Sequence, residues 1–226
     1  MKIVLNSLKA LGLILLSLVC NVIPLFLLRG QKELSPLMQW LLGLLYLAFV
    51  VCVIYVLWTF HKKHESDTVK QQKIKGIDLG FALLFWLGMR AVAIVGTVIN
   101  QLYSGQETTA NDAALQSMTS FFSGGFFFFT LLYVLLIGII GPIIEELAYR
   151  AFPEHFLFKG HSRLLAGFVT TVVFALPHST NLIEFLTYAG IGVLLYLAYQ
   201  RRGNIKDSIL VHILNNLPAA IFLLFL

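Results

Sequence analysis

The sequence predicts an all-α protein, a polytopic membrane helix bundle of about seven transmembrane helices. Three observations carry that prediction. Apolar residues make up 58% of the chain and charged residues 12%, with a mean hydropathy of +0.85, whereas a water-soluble domain carries roughly 25% charge. The apolar residues gather into runs, several long enough to cross a ~30 Å hydrocarbon core as helix. The sixteen Lys and Arg sit almost wholly between those runs. That is the pattern of membrane orientation, not of nucleic-acid binding, despite a net charge of +5. Disordered tails, collagens and disulfide scaffolds are excluded by the same composition. Cys20 and Cys52 lie in separate apolar runs and read as small hydrophobes.

The first run, residues 10–28, follows Lys2 and Lys9 and holds 19 uncharged residues. No small-x-small cleavage site follows it, so it reads as a retained span rather than a signal peptide. Ser35 to Phe60 is the second. A polar stretch from His61 to Gly76 then carries Lys62, Lys63, Lys70, Lys73 and Lys75. The third run covers Leu79 to Leu102, with Arg90 at its middle. Tyr103 to Ser120 lacks Lys and Arg and reads as an interfacial helix. Phe121 to Ile144 is free of charge, and its helical pattern extends to about Phe158. Such a helix would be about 57 Å long at 1.5 Å per residue, too long for one span, and Gly124-Gly125 is the expected break. Three shorter runs follow: Leu164 to Ala175 and beyond, Leu182 to Tyr199, and Ile209 to Leu226. An N-terminus on the cytoplasmic side puts twelve basic residues there, against Arg29 and Lys32 opposite. The asymmetry predicts N-in and C-out.

Ionisable side chains inside spans are costly and are functional candidates by default. Here they are Arg90, Glu145, Glu146, Arg150, His178, Glu184 and His212, joined by Asn215 and Asn216. Glu146 and Arg150 are i and i+4, share a helix face and can pair. Glu145 lies about 100° around the helix and stays free to face something else, as a general base must. His212 and Asn216 are again i and i+4, presenting an imidazole and an amide that could stabilise a developing oxyanion. His178 closes Phe174-Ala175-Leu176-Pro177-His178. By residue counting it lies roughly 10 Å nearer the outer face than His212. Each group also has a plainer reading. Glu146–Arg150 can be a helix-stabilising pair, Asn216 interhelical glue, and Arg90 an ion-pair partner or a snorkelling cation. Glu184 reads as interfacial, and His61-x-x-His64-Glu65 as a solvated loop. Zincin, nucleophile-elbow and P-loop motifs are absent from the sequence.

Glu145-Glu146-x-x-x-Arg150, Phe174-x-x-x-His178 and His212-x-x-x-Asn216 occur in that order, with Gly141-Pro142-Ile143-Ile144 before the glutamates and Arg201-Arg202-Gly203-Asn204 before the last motif. Together they resemble the three motifs of the CAAX protease and bacteriocin-processing (CPBP, or Abi) family. The resemblance covers residues 107–226. Residues 1–106 carry spans without recognisable site motifs, and the whole reads as one continuous membrane domain. The resemblance implies a glutamate-dependent intramembrane endopeptidase acting on a membrane-associated or lipidated peptide or protein, in bacteriocin or signalling-peptide processing or self-immunity. It makes Glu145 the base that activates water, and His178 a group that orients that water. His212 and Asn216 would be the oxyanion donors, with Glu146 and Arg150 in support. No cofactor is favoured. The alternative is zinc on Glu145, His178 and His212, against which the motifs offer no carboxylate aimed at either histidine. The expected partners are the substrate and the lipid bilayer, with no nucleic acid. The expected location is a bacterial cell membrane. Two other functions fit less well: a non-catalytic membrane partner of a sensor or bacteriocin receptor, and a small transporter, for which an inverted repeat is missing.

Overall fold

A helix satisfies every backbone N–H and C=O within its own segment, which is why long apolar runs in a hydrocarbon solvent fold this way. A computed structural model describes residues 2–159 and 162–226, and those residues contain helices and turns but no strand. Beside one four-residue turn at Asp67–Lys70, the main helices are α1 (Lys2–Gly30), α2 (Pro36–His64), α3 (Gly76–Ser104), the short α4 (Ala110–Ser117), α5 (Phe127–Phe156), α6 (Arg163–His178), α7 (Leu182–Gln200) and α8 (Ile205–Phe225). Six are long and apolar enough to cross a membrane, and α6 is a shorter apolar helix. The predicted seven runs are therefore six full-length spans and one short one.

Local signals set the ends. Ser35 accepts the Met38 N–H ahead of Pro36, the first residue of α2. Asn181 accepts the N–H groups of Ile183 and Glu184 at the start of α7. Gly124, at φ +69°, takes the left-handed turn that separates the aromatic stretch from α5. The expected break is there, and α5 starts at Phe127 rather than Phe121.

α5 is the central helix. Of its apolar stretch 56% is buried, against 22%, 22% and 17% for α1, α2 and α3. Leu83, Leu84, Leu87, Ile94 and Val95 of α3 are exposed large hydrophobics along one helix, a surface that only lipid covers without penalty. α3 packs against α7 and α8, and α7 against α6. Gly96 of α3 lies at the closest approach to α7, where an added Cβ would fall 2.1 Å from Thr187 Oγ1. Gly96→Ala is expected to push α3 from α7 and cost about 1–3 kcal/mol, read as a lower Tm in detergent. An unchanged Tm would mean that this contact is absent.

Ion pairs and hydrogen bonds close each end of the bundle. At one end Arg201 meets Asp78 at 2.5 Å, Arg202 meets Asp207 at 2.7 Å, and Gln72 donates to the Arg202 carbonyl. That end carries the lysine-rich 65–75 segment. At the other end Gln31 donates to the Phe121 carbonyl at 2.8 Å and accepts the Phe126 N–H at 2.6 Å. Two expectations change here. Glu184 is fully buried rather than interfacial. Its carboxylate accepts N–H groups from Ala110 at 2.7 Å and Thr180 at 2.8 Å, and so ties the start of α4 to the start of α7. His61 and His64 belong to the last turn of α2 rather than to a loop, with Glu65 3.6 Å from His61 and 2.9 Å from Lys62.

Candidate active site

The glutamates sit between two wide π-helical turns of α5, Leu136–Ile140 and Leu147–Ala151. Each turn is followed within two residues by a proline, Pro142 or Pro153. A proline ring clashes with the preceding turn of a regular helix, and a wider turn relieves the clash. Pro153 therefore leaves the helix unbroken as far as Phe156. The Gly141 N–H bonds the Leu136 carbonyl, and a Cβ at Gly141 would lie 2.8 Å from that oxygen. Pro142 has no N–H, so the Ile137 carbonyl is left without a backbone donor in register. The Asn216 side chain of α8 supplies one, at 3.3 Å.

Between the π turns the two carboxylates part. Glu146 is fully buried, 2.9 Å from the equally buried Arg150, whose guanidinium lies 4.1 Å from the centre of the Phe174 ring. Glu145 instead lines a cavity of about 500 Å³ and accepts a hydrogen bond from Asn21 of α1 at 2.8 Å. His212 stands between them, with Nδ1 2.8 Å from Glu146 Oε1 and Nε2 3.8 Å from Glu145 Oε2. A carboxylate can only accept, so Nδ1 carries the proton that Glu146 receives.

His178, His212 and Asn216 line the same cavity. The depth mismatch expected between the histidines disappears. At Pro177 the helix tightens into a 3₁₀ turn, Leu176–His178, so that α6 stops at the cavity. The Phe174 ring bridges the pair, 4.8 Å from His178 and 6.0 Å from His212, and His178 stacks on Tyr188 at 5.2 Å. Asn216 Oδ1 accepts from Asn215 at 2.9 Å, which turns its amide N–H groups away from that neighbour.

Two contributors come from outside the motifs. Asn21, a lone amide within the first apolar run, holds Glu145. That polar interruption was the only sequence signal for it. Arg90 also lines the cavity and donates to Asn215. It stands 14 residues from either end of α3, about 21 Å at 1.5 Å per residue, too deep to snorkel. Among the described residues no carboxylate lies within ion-pair distance of it, although the charge of Asp112 acts on it from the same cavity wall, so the snorkelling reading of Arg90 is the one that fails. Residues from 1–106 and from 107–226 thus share one cavity wall.

The proposed zinc ligands Glu145, His178 and His212 all face this cavity, yet among the described residues no three His, Cys, Asp or Glu side chains converge closely enough to hold a metal ion. The sequence argument about outer carboxylates needs correction, because Glu146 is aimed at His212. It had been assigned to Arg150 alone, since pairing between α5 and α8 is invisible in spacing along one helix.

Residues 127–218 match the family described as type II CAAX prenyl endopeptidase Rce1-like. Over 151 residues the chain is 31% identical to the membrane-embedded CAAX protease MroQ of Staphylococcus aureus (strain USA300), covering 64% of this chain and 56% of that protein. Over 180 residues it is 26% identical to UPF0177 protein YbdI of Lactococcus lactis subsp. lactis (strain IL1403), covering 79% of this chain and 93% of that protein. The match therefore spans little more than half the length of the staphylococcal relative. No solved structure matches the chain significantly. On its apolar helices this chain is an integral membrane protein, and its residues 127–218 are similar to the Rce1-like CAAX endopeptidases.

Proposed function

We propose that this protein is an intramembrane endopeptidase that hydrolyses a peptide bond in a membrane-associated or lipidated peptide, with Glu145 as the general base. One observation carries the reading: of two adjacent glutamates, Glu146 is sealed between Arg150 and His212, while Glu145 faces the cavity. Only Glu145 can take a proton from a water beside a substrate carbonyl. The water oxygen attacks the carbonyl carbon, Glu145 receives the proton, and the same proton passes to the leaving amine as the C–N bond breaks. His178, held by stacking, orients the water.

Asn216 offers the oxyanion the N–H that Ile137 does not use. His212 can donate through Nε2 only as an imidazolium, because its Nδ1–H is committed to Glu146. The carboxylates of Glu145 and Glu146 balance that charge from either side. The reaction as proposed uses no cofactor.

The test is cleavage of a membrane peptide library in liposomes, read by mass spectrometry, by wild type and Asn216→Ala, with and without chelator. Wild type is expected to cut in both conditions, and Asn216→Ala about 10²- to 10³-fold more slowly. Cleavage lost on chelation would bring back zinc. A folded wild type that cuts nothing would favour the non-catalytic membrane partner.

The cavity reaches the bundle end that carries α4, where Asp112 and Gln116 line it, opposite the lysine-rich segment. With basic residues held on the cytoplasmic side, we propose that the cavity opens to the outside of a cell membrane. In a background with Cys20 and Cys52 replaced by Ala, Gln116→Cys is expected to react with a membrane-impermeant maleimide on intact cells, and Lys70→Cys is not. The reverse result would invert the topology.

A further inference from the structure

We propose that Tyr188 is a positioning residue for His178 and that the start of α4 fixes it, so that the water-orienting imidazole is set from the cavity mouth. The inference rests on the endopeptidase reading for what His178 does, and adds a residue on which that step depends. The two cavity histidines are held differently. His212 gives its Nδ1–H to a carboxylate, whereas among the described residues no hydrogen bond fixes either ring nitrogen of His178. What His178 touches is aromatic: the Phe174 ring at 4.8 Å and the Tyr188 ring at 5.2 Å, the latter 24° from parallel. A ring set by packing is only as fixed as the residues it packs on.

Phe174 is buried and lies under the Arg150 guanidinium at 4.1 Å. Tyr188 lies in the cavity wall and is anchored through its phenol, with Oη 3.3 Å from Thr109 Oγ1. Thr109 is itself buried and caps α4 by accepting the Asp112 N–H at 3.2 Å. A hydroxyl that accepts there still has a hydrogen and a lone pair for the phenol. The next residue, Ala110, gives its N–H to Glu184 at 2.7 Å. Glu184 and Tyr188 are i and i+4 on α7, so one helix face grips two consecutive residues at the start of α4. Thr109, Tyr188 and His178 therefore connect α4 to the site through two direct contacts.

The first readout needs no substrate. NMR of the full chain with isotope-labelled histidine in lipid nanodiscs identifies the His178 ring signals by their loss in His178→Gln. Wild type and Tyr188→Phe are expected to give one sharp set. Tyr188→Leu should broaden or split that set, as the ring takes several orientations, and leave the His212 set sharp. A single sharp His178 set in Tyr188→Leu, or equal broadening of both histidines, would overturn the inference. The Phe variant, which keeps the ring, guards against a folding defect.

The second readout is cleavage of a liposome-library peptide that wild type cuts. Tyr188→Leu is expected to lower kcat about 10- to 100-fold, the scale of a misplaced catalytic group, with KM nearly unchanged. A raised KM with kcat kept would make Tyr188 a mere part of the cavity wall. Tyr188→Phe should cost about five-fold in kcat, the worth of one hydrogen bond, and nothing further in a Thr109→Val background. Independent losses would overturn the link to α4. The two readouts also separate this inference from the endopeptidase reading. Broadened His178 signals in Tyr188→Leu, with no cleavage by wild type, would overturn the peptidase alone. Glu145-dependent cleavage with His178 signals and kcat indifferent to Tyr188 would overturn the role of Tyr188 alone.

Discussion

Glu145→Gln is expected to abolish peptide cleavage, by about 10²- to 10⁴-fold, the range for removal of a general base, while leaving the protein folded. The asymmetry follows from the contacts. A glutamine keeps the volume and an oxygen that can accept the Asn21 N–H now bonded at 2.8 Å, so the α1–α5 contact survives. What is lost is the ability to hold a proton taken from water. His212, 3.8 Å away, keeps its shorter 2.8 Å bond to Glu146. Liposome cleavage read by mass spectrometry, together with a detergent melt, checks both halves. Cleavage retained in a folded Gln variant would remove Glu145 from the reaction and leave the cavity without a base on α5.

The largest loss of stability is expected from Arg150→Met. Arg150 and Glu146 are both wholly buried and 2.9 Å apart. Deleting one member of a buried pair strands the other charge, at about 3–5 kcal/mol. Met also forfeits the guanidinium stacked 4.1 Å from the Phe174 ring. The double variant Glu146→Gln/Arg150→Met removes both charges and should recover most of that loss. It should not recover cleavage, because the His212 Nδ1–H would then face a neutral amide instead of a carboxylate. A double-mutant cycle measured by both Tm and rate separates the two roles. If the double variant regains both stability and cleavage, Glu146 and Arg150 are a helix-stabilising pair alone.

The helices were legible in the sequence because a long charge-free run leaves the backbone no partners but its own. The i, i+4 partners were legible for a related reason: one turn of helix places Glu146 by Arg150 and His212 near Asn216 whatever surrounds them. Even Gly124 could be read, since a left-handed turn favours a residue without Cβ. The failures have two causes, one distant in sequence and one local. Glu184 looked interfacial from its place at a span end, but its partners, Ala110 and Thr180, come from the start of α4 and the turn before α7. The 10 Å offset of His178 assumed a regular helix through Pro177, where the chain tightens into a 3₁₀ turn.

By itself, then, the sequence determined an all-helical membrane protein, the order of its spans and the short list of polar side chains within them. Hydropathy and helical period are properties of neighbours along the chain. Only the tertiary structure decided that Asn21 holds Glu145, that Glu146 is shared between Arg150 and His212, and that Arg90 donates to Asn215. Those facts depend on residues 124, 66 and 125 positions apart. Such pairs are set by how helices pack, through small residues such as Gly96 and wide turns such as Leu136–Ile140, and helical spacing carries no record of that packing.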